Sequence, residues 1–206
     1  MKNKLTCPLN PMPPIPIGTY HPGAFGVNRH LHVHTGVDLY APYGCPVMAM
    51  EDGVVIRVAW FTGLVIGMPW WNDTRAVYVQ GASGVFCYGE VQESPVIKEG
   101  VRVKQGDVIG HVLSVLRKYK GRPMSMLHLE QYSPGHTDEW DEWKIGEPKP
   151  VHLYDPTPFL LTIEGVKTID YDPYIDSVLA YTQYAPKEVA EALLRYVKVH
   201  DKRNQV

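Results

Sequence analysis

Residues 34–55 read HTGVDLYAPYGCPVMAMEDGVV and place a histidine and an aspartate four positions apart. Neutral imidazole and carboxylate groups are good zinc ligands, at about 2.0–2.2 Å from the ion. A strand that runs into a turn can bend so that His34 and Asp38 meet one cation. The spacing alone is common in proteins and indicates a metal site only weakly.

Two more histidines precede His34 in the segment HLHVH, residues 30–34. Successive side chains of an extended chain point to opposite sides, so His30, His32 and His34 would share one side. Exposed or packed histidines are more common than ligands. His30 and His32 are therefore expected to be exposed or packed histidines, not ligands.

The sequence between residues 33 and 129 has the pattern of short strands joined by turns. GVVIRVAW, from Gly53, is rich in β-branched residues. AVYVQ and VFCYGEV flank a turn at residues 81–84, which predicts a hairpin. A second turn is predicted at residues 105–107, within VRVKQGDVIGHV. These features predict a mainly β domain with antiparallel pairing.

The two ends of the chain differ from this central pattern. Residues 1–23 are rich in proline and predict an extended arm lying on the domain. The β domain is expected over residues 24–165, with a polar surface loop at 133–150. Residues 166–206 predict a helical extension.

The helix of this extension is expected to begin near Pro186. Val189, Leu193, Leu194 and Val197 recur at helical spacing and predict one apolar face. Docking of that face on the β domain is favoured over binding of a separate partner.

Composition limits the functions that the chain can have. Of 206 residues, 45% are hydrophobic and 20% charged, and the net charge is −2. No basic patch favours nucleic acid or an anionic membrane as partner. No stretch approaches the roughly 20 apolar residues that span a bilayer. Cys7, Cys45 and Cys87 match no metal knuckle and are expected to be free thiols, with a Cys45–Cys87 bridge left open.

The amino terminus predicts where the protein acts. MKNKLTCPLNPMPPIPIG has two lysines but no apolar segment behind them, so no secretory signal is expected. The protein is then cytoplasmic as made, and is released by cell lysis or carried on a phage particle if it acts outside the cell.

Several motifs resemble, in order, those of the lysostaphin/LytM-type zinc peptidases. HTGVD is similar to the family's H-x-G-x-D motif, APYGCPV to A-P-x-G-x-P-V, and AMEDGVV to A-x-x-D-G-V-V. MLHLE, residues 126–130, resembles the strand H-L-H-F-E, and LYDPTPFL the closing segment. The resemblance runs from about residue 21 to residue 161.

The resemblance implies a compact core of antiparallel β-sheets, the duplicated hybrid motif, with one zinc ion in a groove. When the family's zinc ligands are carried over position by position, they correspond to His34, Asp38 and His128. Three protein ligands leave a fourth position open, the arrangement of a catalytic zinc site. The family hydrolyses peptide cross-links of bacterial peptidoglycan, so the expected partner is a peptidoglycan peptide.

Two groove histidines of the family have no counterpart in this sequence. Glu90 stands where a Y-x-H-L motif has its histidine, and Met126 replaces the first histidine of H-x-H. In one interpretation Glu90 is the general base of an active peptidase, with His30, His32 or His136 as a supporting histidine. In the other, the chain is a weak or inactive zinc-binding pseudopeptidase that binds cell-wall or protein ligands.

Other residues near these motifs have two open interpretations each. Glu130 either hydrogen bonds to a ligand or faces solvent, and Met126 is expected to fill core space. Four tryptophans in two predicted insertions either contact substrate or seal loops onto the domain; they are Trp70, Trp71, Trp140 and Trp143. A lipoyl-type carrier is disfavoured, because the hairpin tip at 81–84 has no lysine.

Overall fold

Short strands that follow one another closely account for most of the regular structure. The computed structural model describes residues 6–29, 32–117, 124–137, 142–171, 176 and 187–201. The strands are β1 (Ile15–Ile17), β2 (Asn28–Arg29), β3 (His32–Val33), β4 (Val37–Tyr40), β5 (Pro46–Met48), β6 (Gly53–Thr62), β7 (Thr74–Gly81), β8 (Gly84–Glu93), β9 (Arg102–Val103), β10 (Val108–Val112), β11 (Met126–Tyr132), β12 (Leu153–Tyr154) and β13 (Thr168–Asp170). The helices are a 3₁₀ turn (Leu64–Ile66), α1 (Thr157–Leu160) and α2 (Lys187–His200).

Within the described part of the chain, nine strands form the main sheet. Its central path runs β12-β11-β8-β7-β6-β9, with antiparallel neighbours throughout. Strand β4 pairs with β11, and β10 joins β5 to β8. The predicted mainly β fold of lysostaphin type with a C-terminal helix is confirmed.

The hairpin predicted around residues 81–84 is also confirmed, since β7 and β8 pair up to Gly81 opposite Gly84. The second predicted turn separates β9 from β10, and the amide of Gly106 donates to the carbonyl of Ala49 at 2.8 Å. The two flanking strands do not pair with each other: β9 pairs with β6, and β10 with β5 and β8.

Alternation along the strands gives the sheet two buried faces. On β11, Leu127 and Leu129 belong to the main core, whereas Tyr132 belongs to a smaller cluster on the other face. His128 and Glu130 therefore point to the side opposite the main core. All seven residues of β11 are buried, so polar side chains on that strand must find partners inside the protein.

The proline-rich arm is part of the folded structure. Leu9 and Ile15 are completely buried in the main core. Strand β1 pairs in parallel with β13, so the start of the predicted helical extension is a strand held by the arm. The boundaries of the arm, domain and extension stay predictions.

Helix α2 lies where the apolar periodicity placed a helix, although Pro186 is outside the described residues. Val197 is buried, but Val189 and Leu194 are 42% and 49% exposed, so the prediction of one continuous docked face is wrong. The prediction of free thiols is confirmed for Cys7, Cys45 and Cys87. No helix among the described residues is long and apolar enough to cross a membrane.

Candidate metal centre

The strand pairing brings the three predicted ligands together. Asp38 on β4 lies directly opposite His128 on β11 in the antiparallel register. His34 comes three residues before β4, at the other end of the bend that contains Gly36. Among the described residues, these three form the one group of histidine, cysteine and acidic side chains with the geometry to hold a metal ion.

Three atoms of this group converge on one point. Oδ1 of Asp38 lies 2.9 Å from Nδ1 of His128 and 3.2 Å from Nε2 of His34. The two ring nitrogens are 3.1 Å apart. A tetrahedral ion with bonds of about 2.0–2.1 Å requires ligand atoms about 3.3 Å from one another. The three separations fit such a zinc ion, with small outward movements of the side chains.

The tautomers of both histidines follow from their other ring nitrogens. Nδ1 of His34 lies 2.8 Å from the carbonyl oxygen of Ala24, which can only accept a hydrogen bond. Nε2 of His128 lies 3.1 Å from the carboxylate of Glu130. Each of these nitrogens therefore carries the hydrogen. In their neutral forms, both rings present a lone pair to Asp38, and a cation must separate the three electron-rich atoms.

The pKa shifts of Asp38 and His128 also indicate that a positive charge is favoured between these side chains. Burial opposes the ionisation of Asp38, yet His34 and Arg29 outweigh it and hold the pKa of Asp38 well below its usual range. Burial also opposes the charging of His128, but its hydrogen bonds with Asp38 and Glu130 raise the pKa of His128 to about 10. Without a metal ion, a proton on His128 takes the position of the cation.

Glu130 holds the ring of His128 from behind. Oε1 of Glu130 accepts from His128 and from the hydroxyl of Thr35, at 2.5 Å from Thr35, and Oε2 accepts from the hydroxyl of Tyr132 at 2.8 Å. Although burial favours the neutral acid, these hydrogen bonds lower the pKa of Glu130 to about 2. The first of the two sequence interpretations of Glu130 is confirmed, because it is 1% exposed and bonded to a candidate ligand.

Gly36 allows the bend between His34 and Asp38 to approach β11. A Cβ atom on Gly36 would lie 2.5 Å from the carbonyl oxygen of Leu129 and 2.7 Å from Nε2 of His128. Real Cβ contacts are almost never that short, so a side chain at this position would displace the strand or the ring. The glycine of H-T-G-V-D is thus required by close packing beside the site.

Glu90 lies on β8 at an irregular point of the sheet. The register between β7 and β8 shifts between Arg75 and Val77, as in a β-bulge, and Glu90 has a φ of 64°. Positive φ is rare outside glycine and costs of order 1–3 kcal/mol. Bulges redirect side chains, and such strain is concentrated at functional sites.

The side chain of Glu90 is 4% exposed and has two hydroxyl partners. Its Oε2 accepts from Thr74 at 3.3 Å and from Thr62 at 3.5 Å. Burial raises the pKa of Glu90 to about 7, although His128 acts in the opposite direction. A surface ion pair with a lysine or arginine, an ordinary role for a glutamate, does not fit this burial.

The other candidates from the sequence are not members of the group of three ligands. Met126 is buried and fills core space as predicted. His32 is exposed, and His136 stacks on Tyr132 with 4.5 Å between ring centroids. His30 and Trp140 fall outside the described residues.

The remaining tryptophans differ in exposure. Trp70 is 75% exposed, whereas Trp143 packs on Phe25 with 5.9 Å between ring centroids. The backbone carbonyl of Trp71 accepts from Nε of Arg117 at 2.9 Å. Trp143 thus seals its loop onto the domain, whereas Trp70 is mostly exposed to solvent.

No motif or spacing in the sequence pointed to Arg29, Thr35, Thr62 or Thr74, and only strand alternation pointed to Tyr132. Each of these residues contacts Asp38, Glu90 or Glu130. Tyr132 is two residues from its partner Glu130 in the sequence, whereas the other four are nine or more residues from theirs. Alternation on β11 was the one available signal, since it puts Tyr132 on the side of His128 and Glu130.

Comparison with known proteins gives matches to one family of peptidases. The profile of peptidase family M23 matches residues 32–138, and no curated protein matches the sequence significantly. The fold is similar to that of the catalytic domain of the antimicrobial peptidase lysostaphin from Staphylococcus simulans, at 19% identity over 73% of this chain and 88% of that one, with a TM-score of 0.42.

Two further solved structures cover similar parts of the chain. Lysostaphin itself, from Staphylococcus simulans, has 20% identity over 68% of this chain and 48% of that one, with a TM-score of 0.46. A putative glycyl-glycine endopeptidase lytM from Ruminococcus gnavus has 19% identity over 82% of this chain and 64% of that one, with a TM-score of 0.45. The chain therefore corresponds to about half the length of lysostaphin.

Proposed function

The chain belongs to peptidase family M23, and from this premise we propose that it is a zinc metallopeptidase that hydrolyses peptide cross-links of bacterial peptidoglycan. The single observation that supports the proposal most is the convergence of His34, Asp38 and His128, with 2.9–3.2 Å between their ligand atoms. When bound there, zinc supplies a Lewis acid that polarises a carbonyl and lowers the pKa of water.

The role that we assign to Glu90 is that of general base. Glu90 takes a proton from the attacking water as the oxygen adds to the peptide carbonyl, and it returns a proton to the leaving amine when the C–N bond breaks. A base works best when its pKa is near the working pH. Burial gives Glu90 a pKa of about 7, and the hydroxyls of Thr62 and Thr74 fix one of its oxygens.

The charge of the site suits this chemistry. Two neutral imidazoles and one carboxylate leave a bound divalent ion with a net charge of about +1, which keeps it a good Lewis acid. Each ligand has a second partner that fixes its orientation, namely the carbonyl of Ala24 for His34, Glu130 for His128 and Arg29 for Asp38. Loss of such a partner typically weakens metal binding by about 10- to 100-fold.

A second candidate function is that of a zinc-containing binding module. The specific observation in its favour is the pair Glu90 and Met126, because Glu90 is only 4% exposed and Met126 offers no proton or hydrogen bond donor. Loss of one transition-state donor typically slows an enzyme by about 100- to 1,000-fold. The module would hold zinc and bind cell-wall peptides without cutting them.

One experiment distinguishes the two functions. Purified wild type, Glu90→Gln and His128→Ala are compared for zinc content and for release of new amine termini from peptidoglycan. A peptidase gives about one zinc and new amines for wild type, zinc without amines for Glu90→Gln, and neither for His128→Ala. Zinc with no amine release from wild type would support the binding module instead.

His111→Ala is the matched control. His111 is exposed on β10 and is not one of the three grouped ligands. The control should retain both zinc and activity. Full activity in Glu90→Gln would remove the role of that residue as base.

A further inference from the structure

The two oxygens of Asp38 have different partners. Oδ1 faces the two ligand histidines, whereas Oδ2 accepts a hydrogen bond from Nη2 of Arg29 at 2.5 Å. The side chain of Arg29 is 27% exposed and that of Asp38 is 5% exposed. This ion pair is therefore half-buried and lies beside the candidate metal position.

Arg29 is itself held in place by the protein backbone. Its Nε donates to the carbonyl of Pro22 at 2.9 Å, and Nη2 donates to the same oxygen. Nε and Nη2 thereby share one acceptor, which fixes the plane of the guanidinium group.

The segment that carries Arg29 also orients the neighbouring ligands. The carbonyl of Gly23 accepts from the amide of Asp38 at 2.9 Å. The amide of His34 donates to the carbonyl of Val27 at 2.9 Å, and Ala24 accepts from the ring of His34. Arg29 is thus the last member of a set of contacts that fix both ligands from one side.

We propose that Arg29 is a positioning residue that restricts Asp38 to binding the metal ion through Oδ1 alone. A carboxylate can bind zinc through one oxygen or through both. Turning Oδ2 toward the ion would break its charge-assisted hydrogen bond with a fixed guanidinium group. Binding through one oxygen would give the ion three protein ligand atoms and leave a fourth position for water. The inference rests on the proposed zinc site.

The geometry also distinguishes this role from that of an ordinary surface ion pair. Exposed pairs contribute little and hold no fixed geometry. Here the arginine also donates to the carbonyl of Pro22, and its partner is a carboxylate whose other oxygen faces two histidines. A purely stabilising pair would leave the coordination number unchanged when it is removed.

The test measures coordination and does not depend on activity. Zinc-edge X-ray absorption on the full chain gives the number of ligands, and cobalt in place of zinc gives a visible spectrum that weakens as coordination rises. Wild type should have about four ligands, and Arg29→Met about five, because Asp38 then binds through both oxygens.

Arg75→Met is the matched control. Arg75 is 24% exposed, stacks over Trp60 at 4.5 Å and lies 3.8 Å from Glu93, away from the three ligands. This variant should keep the wild-type coordination number. Arg29→Lys keeps the charge but not the two-nitrogen contact with Pro22, so its mean coordination number should lie between those of wild type and Arg29→Met.

Each outcome decides a separate point. Wild type without metal would contradict the proposed function and, with it, this inference. A wild-type site that binds metal through both oxygens of Asp38 would overturn the inference alone, and it needs no variant. Four ligands in folded Arg29→Met would also overturn it and leave the zinc site in place.

Discussion

Asp38 and His128 are direct neighbours across two antiparallel strands, and Oδ1 of Asp38 lies 2.9 Å from Nδ1 of His128 although 90 residues separate them in the chain. The pairing of β4 with β11 therefore determines the distance between two of the three candidate ligands. His34 joins them through the local bend at Gly36, so sheet register and a tight turn together form the site.

Zinc affinity should increase with pH up to about 10. Below that pH the metal-free protein carries a proton on His128, whose pKa is raised to about 10, and the metal must displace it. His34 has a lowered pKa because it is buried, and Asp38 is already ionised, so neither adds a proton near neutral pH. Calorimetry in buffers of different ionisation enthalpy should show release of about one proton per zinc.

A zinc affinity that does not change with pH would contradict the assignment. If zinc affinity were the same at about pH 7 and about pH 9, His128 would not be protonated in the metal-free protein. The hydrogen bonds to Asp38 and Glu130 would then not act as the structure indicates.

Glu130→Gln should weaken zinc binding by about 10- to 100-fold while the fold remains intact. The amide can no longer hold the Nε2–H of His128 as strongly as a carboxylate does, so the ring is less well oriented and less basic. Competition with a chromogenic chelator measures the affinity. Glu93→Gln is the control and should bind zinc as wild type does. Glu93 is partly exposed and lies 3.8 Å from Arg75.

Gly36→Ala should impair zinc binding and destabilise the protein by roughly 1–3 kcal/mol, as over-packing usually does. The added methyl group meets the carbonyl of Leu129 and the ring of His128. Gly100→Ala is the comparison, because Gly100 has a φ of 84° but open space around it. Gly100→Ala should lower the free energy of unfolding by about 1 kcal/mol, through backbone strain alone, and leave zinc affinity unchanged. Equal zinc affinity in both variants would show that Gly36 is not needed for the ligand geometry.

Thr74→Val should shift the acid side of the pH–activity profile to higher pH. The hydroxyl of Thr74 donates to Glu90 and stabilises its ionised form, so its loss raises the pKa of Glu90 above about 7. Because the base must be deprotonated, activity falls at neutral pH and recovers in alkaline buffer. Initial rates on a peptidoglycan peptide at a series of pH values measure the shift.

Thr168→Val is the control for that series, since Thr168 is exposed on β13 and should give the wild-type profile. A loss of activity in Thr74→Val that is the same at every pH would indicate a structural role for Thr74. It would then not support action through Glu90.

Much of the site was predictable from local pattern. The spacing of His34 and Asp38 is set within five residues, and alternation along residues 126–130 puts His128 and Glu130 on the face opposite Leu127 and Leu129. The hairpin at residues 81–84 and the C-terminal helix also follow from turn residues and periodicity. Periodicity did not predict which residues of that helix are buried, because burial depends on what the helix meets.

By itself, the sequence indicated the strand segments, the three candidate ligands and the resemblance to the family, because these depend on short-range pattern and on residue type. Only the tertiary structure decided that Arg29 holds one oxygen of Asp38, that Glu130 holds His128, and that Glu90 sits at positive φ beside Thr74. The physical reason is that hydrogen bonds between distant strands depend on register, bulges and burial, which no local spacing encodes.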